Sequence, residues 1–197
     1  MDIKTITIGE QEWMASNLEV ETFRNGDNIA EIESDEDWIS AGKEGIPACC
    51  NPENDFENGF IYGKLYNWHA VKDPRGLAPE GFHIPTDEEW TQLTEFLGQN
   101  VAVKLMSTSY WFDNNGTNES GFDAVAAGIR PIDSGAAEFT DLNMQAFFWT
   151  SSKYTSQNSW YRSIQEEDGE VFRGGDEEWA GIRTIDSGMS VRCLRDA

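Results

Sequence analysis

Residues 81–90 read GFHIPTDEEW, and the reading of this stretch decides what kind of domain surrounds it. A histidine, a proline and three consecutive acids beside a tryptophan suit either a metal or acid–base site or the first turn of a helix. Thr86 stands three residues before Glu89, the spacing of a capping box. In that arrangement the Thr86 hydroxyl accepts the Glu89 backbone N–H, and the Glu89 carboxylate accepts the N–H of the cap residue. Asp87 and Glu88 then occupy the first turn, where the helix dipole favours negative charge. Pro85 keeps the preceding chain extended and blocks growth of the helix backwards. Trp90, Leu93 and Leu97 form one apolar face, and Gly98 ends the segment. The acids therefore have a structural task. His83 has no second histidine at ligand spacing to make it a metal site.

Working outward, residues 2–8 (DIKTITI) alternate apolar and polar, and Gly9-Glu10 turns the chain into Gln11–Met14, which predicts an N-terminal β-hairpin. Residues 31–60 are acidic and interrupted by Gly, Pro and Asn, which reads as a long excursion with at most short elements, anchored by Trp38 and Phe56. In YGKLYNWHAV (62–71), Tyr62–Tyr66 and Leu65–Trp68 have helical spacing and predict a short amphipathic helix. His69 falls off that stripe and is expected to be exposed or capping. DPRGLAPEG (73–81) is a turn-rich connector, and YWFDNNGTNESGF (110–122) is a polar loop with aromatic anchors.

The remainder reads as β, with strands expected at 122–129, 147–151, 160–164, 171–173 and 190–194. Asp168-Gly169 is a hairpin signal between the third and fourth of these. Helices early and strands late, without βαβ alternation, define a single α+β domain over residues 1–197. AGIRPIDSG (127–135) recurs as AGIRTIDSG (180–188). One pair cannot form a solenoid, so it reads as a strand-then-turn solution used twice.

Composition narrows the function classes. With 36 acids against 14 Lys plus Arg the formal charge is −22, which repels phosphate backbones and disfavours nucleic-acid binding. It suits solubility, divalent cations or cationic partners. No apolar run reaches transmembrane length, so membrane insertion is not expected. Met1-Asp2-Ile3-Lys4 leads straight into a strand-like alternation, which fits a chain whose leader has been removed or one that stays in the cytoplasm. The three cysteines, Cys49, Cys50 and Cys193, lack zinc-ligand spacing; they read as three reduced thiols or as one long-range disulfide with a spare thiol.

The sequence holds no GxSxG elbow, phosphate loop, HExxH or EF-hand loop. With only two histidines, a Ser-His-Asp or Cys-His site would have to use His69 or His83. A binding inventory remains in the C-terminal region: Tyr154, Asn158, Trp160, Tyr161, Arg162, Arg173, Asp176 and Trp179, interleaved with Ser, Gly and Asn. Aromatic faces beside planar hydrogen-bonding groups suit sugars or protein epitopes. No cofactor is implied, although Asn54-Asp55-Phe56-Glu57-Asn58 and Asp113-Asn114-Asn115 offer oxygen ligands of the kind calcium takes.

GEQEWMASNL (9–18), YGKLYNWHAV (62–71), LAPEGFHIPTDEEW (77–90), NESGFDAVAAGIR (118–130), FWTSS (148–152) and SVRCLRD (190–196), in this order, resemble the Fibrobacter succinogenes major paralogous domain family over nearly the whole chain. The resemblance implies a C-type-lectin-like fold with two early helices, paired terminal strands and a loop-rich C-terminal half that displays the ligand surface. It also implies an exported or cell-surface protein and matches Cys50 and Cys193 to the family cysteines. A Cys50–Cys193 disulfide follows from that match, with Cys49 as the competing neighbour. The expected function is a non-catalytic extracellular module that binds a glycan or surface protein through Tyr154, Asn158, Tyr161, Arg162, Arg173, Asp176 and Trp179. The alternatives are a structural or interaction surface protein, and an oxidase related to formylglycine-generating enzymes, which would need a copper-holding cysteine pair.

Overall fold

A computed structural model describes residues 3–132, 135–165, 169–175 and 184–197. The N-terminal hairpin is β1 (Thr5–Ile8) and β2 (Gln11–Met14), followed by β3 (Ala30–Glu31), α1 (Asp35–Glu44) and β4 (Ala48–Cys50). Next come α2 (Phe56–Tyr62), β5 (Leu65–Tyr66), α3 (Trp68–Val71), β6 (Phe82–His83), α4 (Asp87–Leu97) and α5 (Val101–Leu105). The C-terminal half supplies β7 (Ala127–Ile129), β8 (Thr140–Leu142), β9 (Gln145–Lys153), β10 (Ser159–Gln165), β11 (Val171–Gly174) and β12 (Leu194–Arg195).

Among the described residues the strands form three sheets: β1-β2-β12-β6, β3-β4-β5, and β11-β10-β9-β7-β8. The last strand lies beside the N-terminal hairpin, with Leu194 opposite Trp13 and the Met14 N–H donating to the Cys193 carbonyl at 2.9 Å. The architecture is thus the mixed α+β arrangement expected, with mostly antiparallel pairing. Among the described residues the parallel contacts are β3 with β4, β7 with β9, and the isolated bridges Met106–Ala124 and Phe148–Ser190.

The capping box forms as its spacing demands. Glu89 N–H donates to the Thr86 hydroxyl, and Thr86 N–H donates to the Glu89 carboxylate. Trp90 and Leu93 then drop into an aromatic core with Trp13, Phe122 and Phe148, whose ring centroids lie 5.1–5.9 Å apart. Such offset and edge contacts add to the area term that drives their burial.

Three expectations need correction. Residues 31–60 contain a ten-residue helix, α1, capped by Ser34, closed by Gly45 in the left-handed region and anchored by buried Trp38 and Ala41. The single helix expected over 62–71 is broken, because Gly63 has φ 73° and packs so closely on Asn17 and Leu18 that a Cβ would stand 2.8 Å from the Asn17 side chain. Asn67 then starts a separate turn, α3. His69, expected outside, is buried, with Nε2 3.1 Å from Asp186.

The two AGIR-type segments meet each other: Arg130 N–H donates to the Gly188 carbonyl at 3.0 Å, and Gly188 N–H to the Arg130 carbonyl at 2.8 Å. Their described parts differ locally, since Ala127–Ile129 is a strand while Thr184–Asp186 is a 3-10 turn. Positions 133–134 and 180–183 lie outside the described residues, as does Asp168 of the hairpin signal, although β10 and β11 do pair antiparallel.

Gly128 within β7 has φ 67°, and a Cβ there would stand 2.3 Å from the Thr140 carbonyl oxygen. Gly128→Ala is expected to cost about 3 kcal/mol in urea unfolding through combined strain and clash; a loss under about 1 kcal/mol would contradict this packing.

His83 places Nδ1 2.8 Å from Asp196 and Nε2 2.9 Å from Glu89. Burial works against its charge, but the bonds to Asp196 and Glu89 prevail and raise its pKa above 6.5. A raised folded value means that the charged ring stabilises the fold below 6.5 and that this contribution fades as pH rises through the folded value. His83→Gln should therefore lower stability by about 0.5–1 kcal/mol at about pH 5.5 and by less at about pH 9. Equal losses at both would show that the ring serves only by packing.

Candidate functional site

Side chains alternate across a strand, so β9, β10 and β11 present two unlike faces. One face carries Ala146, Phe148 and Ile164 into the aromatic core beneath α4. On the other, the register sets Gln145 opposite Gln165, Phe147 opposite Ser163, and Phe172 opposite Ser163 from the far side. This second face is the floor of an open cleft of about 530 Å³. Ile129, Thr140 and Asp141 wall one side, and Thr184, Ser187 and Met189 come from the C-terminal segment. Asp141 is the one charged side chain among the described lining residues. Hydroxyl and amide groups therefore set the polar character of the cleft, and Phe147, Tyr161, Phe172 and Met189 provide its apolar surface.

The C-terminal wall is braced from behind. Trp38 Nε1–H donates to the Asp186 carbonyl at 3.0 Å, and the Asp186 carboxylate meets His69. The Thr184 N–H donates to Asn158 Oδ1 at 3.3 Å, and Ser187 N–H donates to the Thr184 carbonyl. Every brace ends on a residue that is half-buried or buried, which fixes the wall.

The residues nominated from sequence do not gather in one place. Tyr161 lines the cleft, packed against Phe147 and Trp149. Asn158 supports the wall through Thr184 rather than facing the cleft. Arg162, one step along β10 from Tyr161, must point to the opposite face, where it is 4% exposed and donates to Asp87 and to Thr91 Oγ1 at 2.9 Å. Burial lowers its pKa while Asp87 opposes the shift. Its Nη2 serves the N-terminal part of α4, so it is a structural anchor and not a displayed group.

Tyr154 and Arg173 flank Trp160 in a separate stack, with the Tyr154–Trp160 centroids 4.6 Å apart and the guanidinium 3.5 Å over the indole. Arg173 also reaches Asp87 at 2.7 Å. Asp176 and Trp179 lie outside the described residues. Gln145, Phe147, Ser163, Gln165 and Phe172 were not singled out from sequence. Their signal was the two-residue alternation in QAFFW and YRSIQ, which identifies a common face only once the register of three strands is known.

The oxygen-rich loops are engaged in local structure. Asp55 caps α2, Asn54 donates to the Glu33 carbonyl, Asn58 donates to the Pro52 carbonyl, and Asn114 accepts the Trp111 N–H. Among the described residues, no three His, Cys, Asp or Glu side chains gather to hold a metal ion.

The Cys50–Cys193 disulfide implied by the resemblance is not formed, and the other reading, three reduced thiols, is the one found. Cys49, Cys50 and Cys193 are free thiols and all buried. Strand alternation separates the neighbours: Cys49 joins the cluster that holds Cys193, while Cys50 faces the cluster of Trp38 and Leu65. Burial pushes all three thiols up to about 12.

A mixed α+β domain with a sheet-face cleft and a braced C-terminal wall is the class that these features define. The chain belongs to the Fibrobacter succinogenes major domain family, whose sequence profile matches residues 6–195. No curated protein and no solved structure matches it.

Protonated, buried thiols react slowly with disulfide reagents. The native protein is expected to release almost no chromophore from an aromatic disulfide reagent within minutes, and the denatured, unreduced protein to titrate all three cysteines. A single titratable thiol in denaturant would contradict the free-thiol arrangement.

Proposed function

We propose that this protein is a non-catalytic ligand-binding module whose site is the cleft on β9, β10 and β11, and that its ligand is a neutral carbohydrate. The supporting observation is the make-up of the cleft: aromatic surface from Phe147, Tyr161 and Phe172 beside Gln145, Ser163, Gln165 and Thr140, with Asp141 as the lone charge among its described residues. Sugar rings place C–H faces on aromatic surface and hydroxyls against amides and hydroxyls, so an apolar floor with a few convergent polar groups suits them. The bracing through Asp186, His69, Trp38 and Asn158 reduces the ordering cost of binding.

The scaffold is read as C-type-lectin-like. Pairing of the C-terminal strand with the N-terminal hairpin, helices concentrated before residue 106, and a loop-rich C-terminal half support that reading. Export to the cell surface goes with it.

The test is a glycan microarray followed by calorimetry with a neutral oligosaccharide hit, using Phe172→Ala and, as a control on the opposite face, Tyr154→Ala. The expected result is a loss of about tenfold in affinity for Phe172→Ala and no change for Tyr154→Ala. The reverse pattern would move the site to the Tyr154–Trp160–Arg173 stack. A blank array together with defined oligomers in light scattering would replace this reading with a structural surface protein.

A further inference from the structure

Segment 19–22, β3 and α2 enclose a second groove, of about 540 Å³, away from the sheet cleft. At its base lies buried Lys64, whose ammonium stands 2.6 Å from Glu31, 3.1 Å from Asn51 Oδ1 and 3.3 Å from Glu21. Asn51 reaches this position because residue 59 is glycine: a Cβ there would stand 2.5 Å from Asn51 Oδ1. The outer wall is fixed by two bonds to its backbone, from the Tyr66 hydroxyl to the Val20 carbonyl and from the Ile29 N–H to the Glu21 carbonyl, each 2.8 Å. The groove is built, not a gap between loops.

Its two sides differ in chemistry. Phe56 and Phe60, four residues apart on α2, are 67% and 66% exposed and touch edge to face with centroids 4.6 Å apart. Large apolar side chains left this open beside each other are the kind of feature that marks an interaction site. Glu19, Glu21 and Glu31 line the groove with them, and Lys64, which pairs with Glu31 and Glu21, brings one positive charge against three negative ones. An anion would be repelled here, and a second copy of this chain would bring another charge of −22. A cation with an aliphatic stem matches both sides at once, since its charge meets carboxylates and ring faces while the stem covers the phenylalanines.

We propose that this groove docks a basic, partly aliphatic peptide segment of a partner protein. An arginine or lysine head meets Glu19 and Glu21, and the adjoining apolar side chain covers Phe56 and Phe60. Charge complementarity sets the orientation and the rate of encounter, and the aromatic pair supplies the contact area.

The experiment is fluorescence-anisotropy titration of the full chain into a dye-labelled decapeptide of alternating arginine and leucine. Wild type is expected to bind with a Kd of about 10 µM. Affinity should fall about tenfold in Phe60→Ala and in the double variant Glu19→Gln/Glu21→Gln, and should weaken between about 50 mM and about 500 mM salt. The same peptide with glutamate in place of arginine should not bind. Phe172→Ala, in the sheet cleft, should leave peptide affinity unchanged, so a failure here is distinguishable from a failure of the glycan site. The side chains of Phe60, Glu19 and Glu21 are exposed and Lys64 keeps Glu31 at 2.6 Å in the double variant, so both variants are expected to melt with wild type. Equal affinity of wild type and Phe60→Ala would reveal diffuse attraction to an acidic surface and overturn the proposal, as would no binding below about 1 mM peptide or a loss confined to Phe172→Ala.

Discussion

A guanidinium taken out of water must find an oxygen for nearly every N–H, because each unmade bond carries the full cost of its desolvation. Arg192 meets this demand while wholly buried. Nε and Nη2 both donate to Asn17 Oδ1, at 3.0 and 2.7 Å, and Nη1 donates to the carbonyls of Met14 and Phe122. The guanidinium also lies 4.5 Å over the Phe122 ring. Burial pulls its pKa down to about 9, which leaves it charged at neutral pH. Arg192 thereby ties the C-terminal segment to the exit of the N-terminal hairpin and to the loop before β7. Arg130 does the same for the other side of the molecule, reaching the carbonyls of Ile32, Glu33 and Ala137 and the Asp35 carboxylate, and stacking on Trp38 and Phe139.

The cleft depends on these two anchors. Met189 and Ser187, which wall it, lie within five residues of Arg192, and Gly188 between them pairs with Arg130. Arg192 fixes its end of this loop-rich segment through neutral oxygens, while Arg130 adds the Asp35 carboxylate to three backbone carbonyls. Asp186 is buried against His69, but Glu19, Glu21 and Glu31 face the second groove and give it its sign. The cleft, with Asp141 as its one charged described residue, and the acidic groove thus differ in character on one scaffold.

Local rules were legible in the sequence. The Thr86–Glu89 capping box, the 5–14 hairpin and the β9–β10–β11 ribbon depend on residues near each other in the chain, so spacing alone exposed them. Helix α1 had equally local signals in Ser34, three first-turn acids and Gly45, but its acidity was indistinguishable by composition from a solvated loop. The break at Gly63 comes from contact with Asn17 and Leu18, some 45 residues earlier, and no window over 62–71 contains it. His69 was misplaced for the same reason, since Asp186 lies 117 residues away. The cleft floor needs the register of three strands and the return of the C-terminal segment. Its residues therefore looked ordinary, while the conspicuous Arg162 belonged to the opposite face.

Buried, charged Arg192 holds the C-terminal segment in place through neutral oxygens, and urea unfolding of Arg192→Met tests this most directly. Methionine fills much of the volume and satisfies none of the oxygens of Asn17, Met14 and Phe122. With those oxygens left unsatisfied, a loss of about 3–5 kcal/mol relative to wild type at neutral pH is expected. Stability equal to or above that of wild type would contradict it.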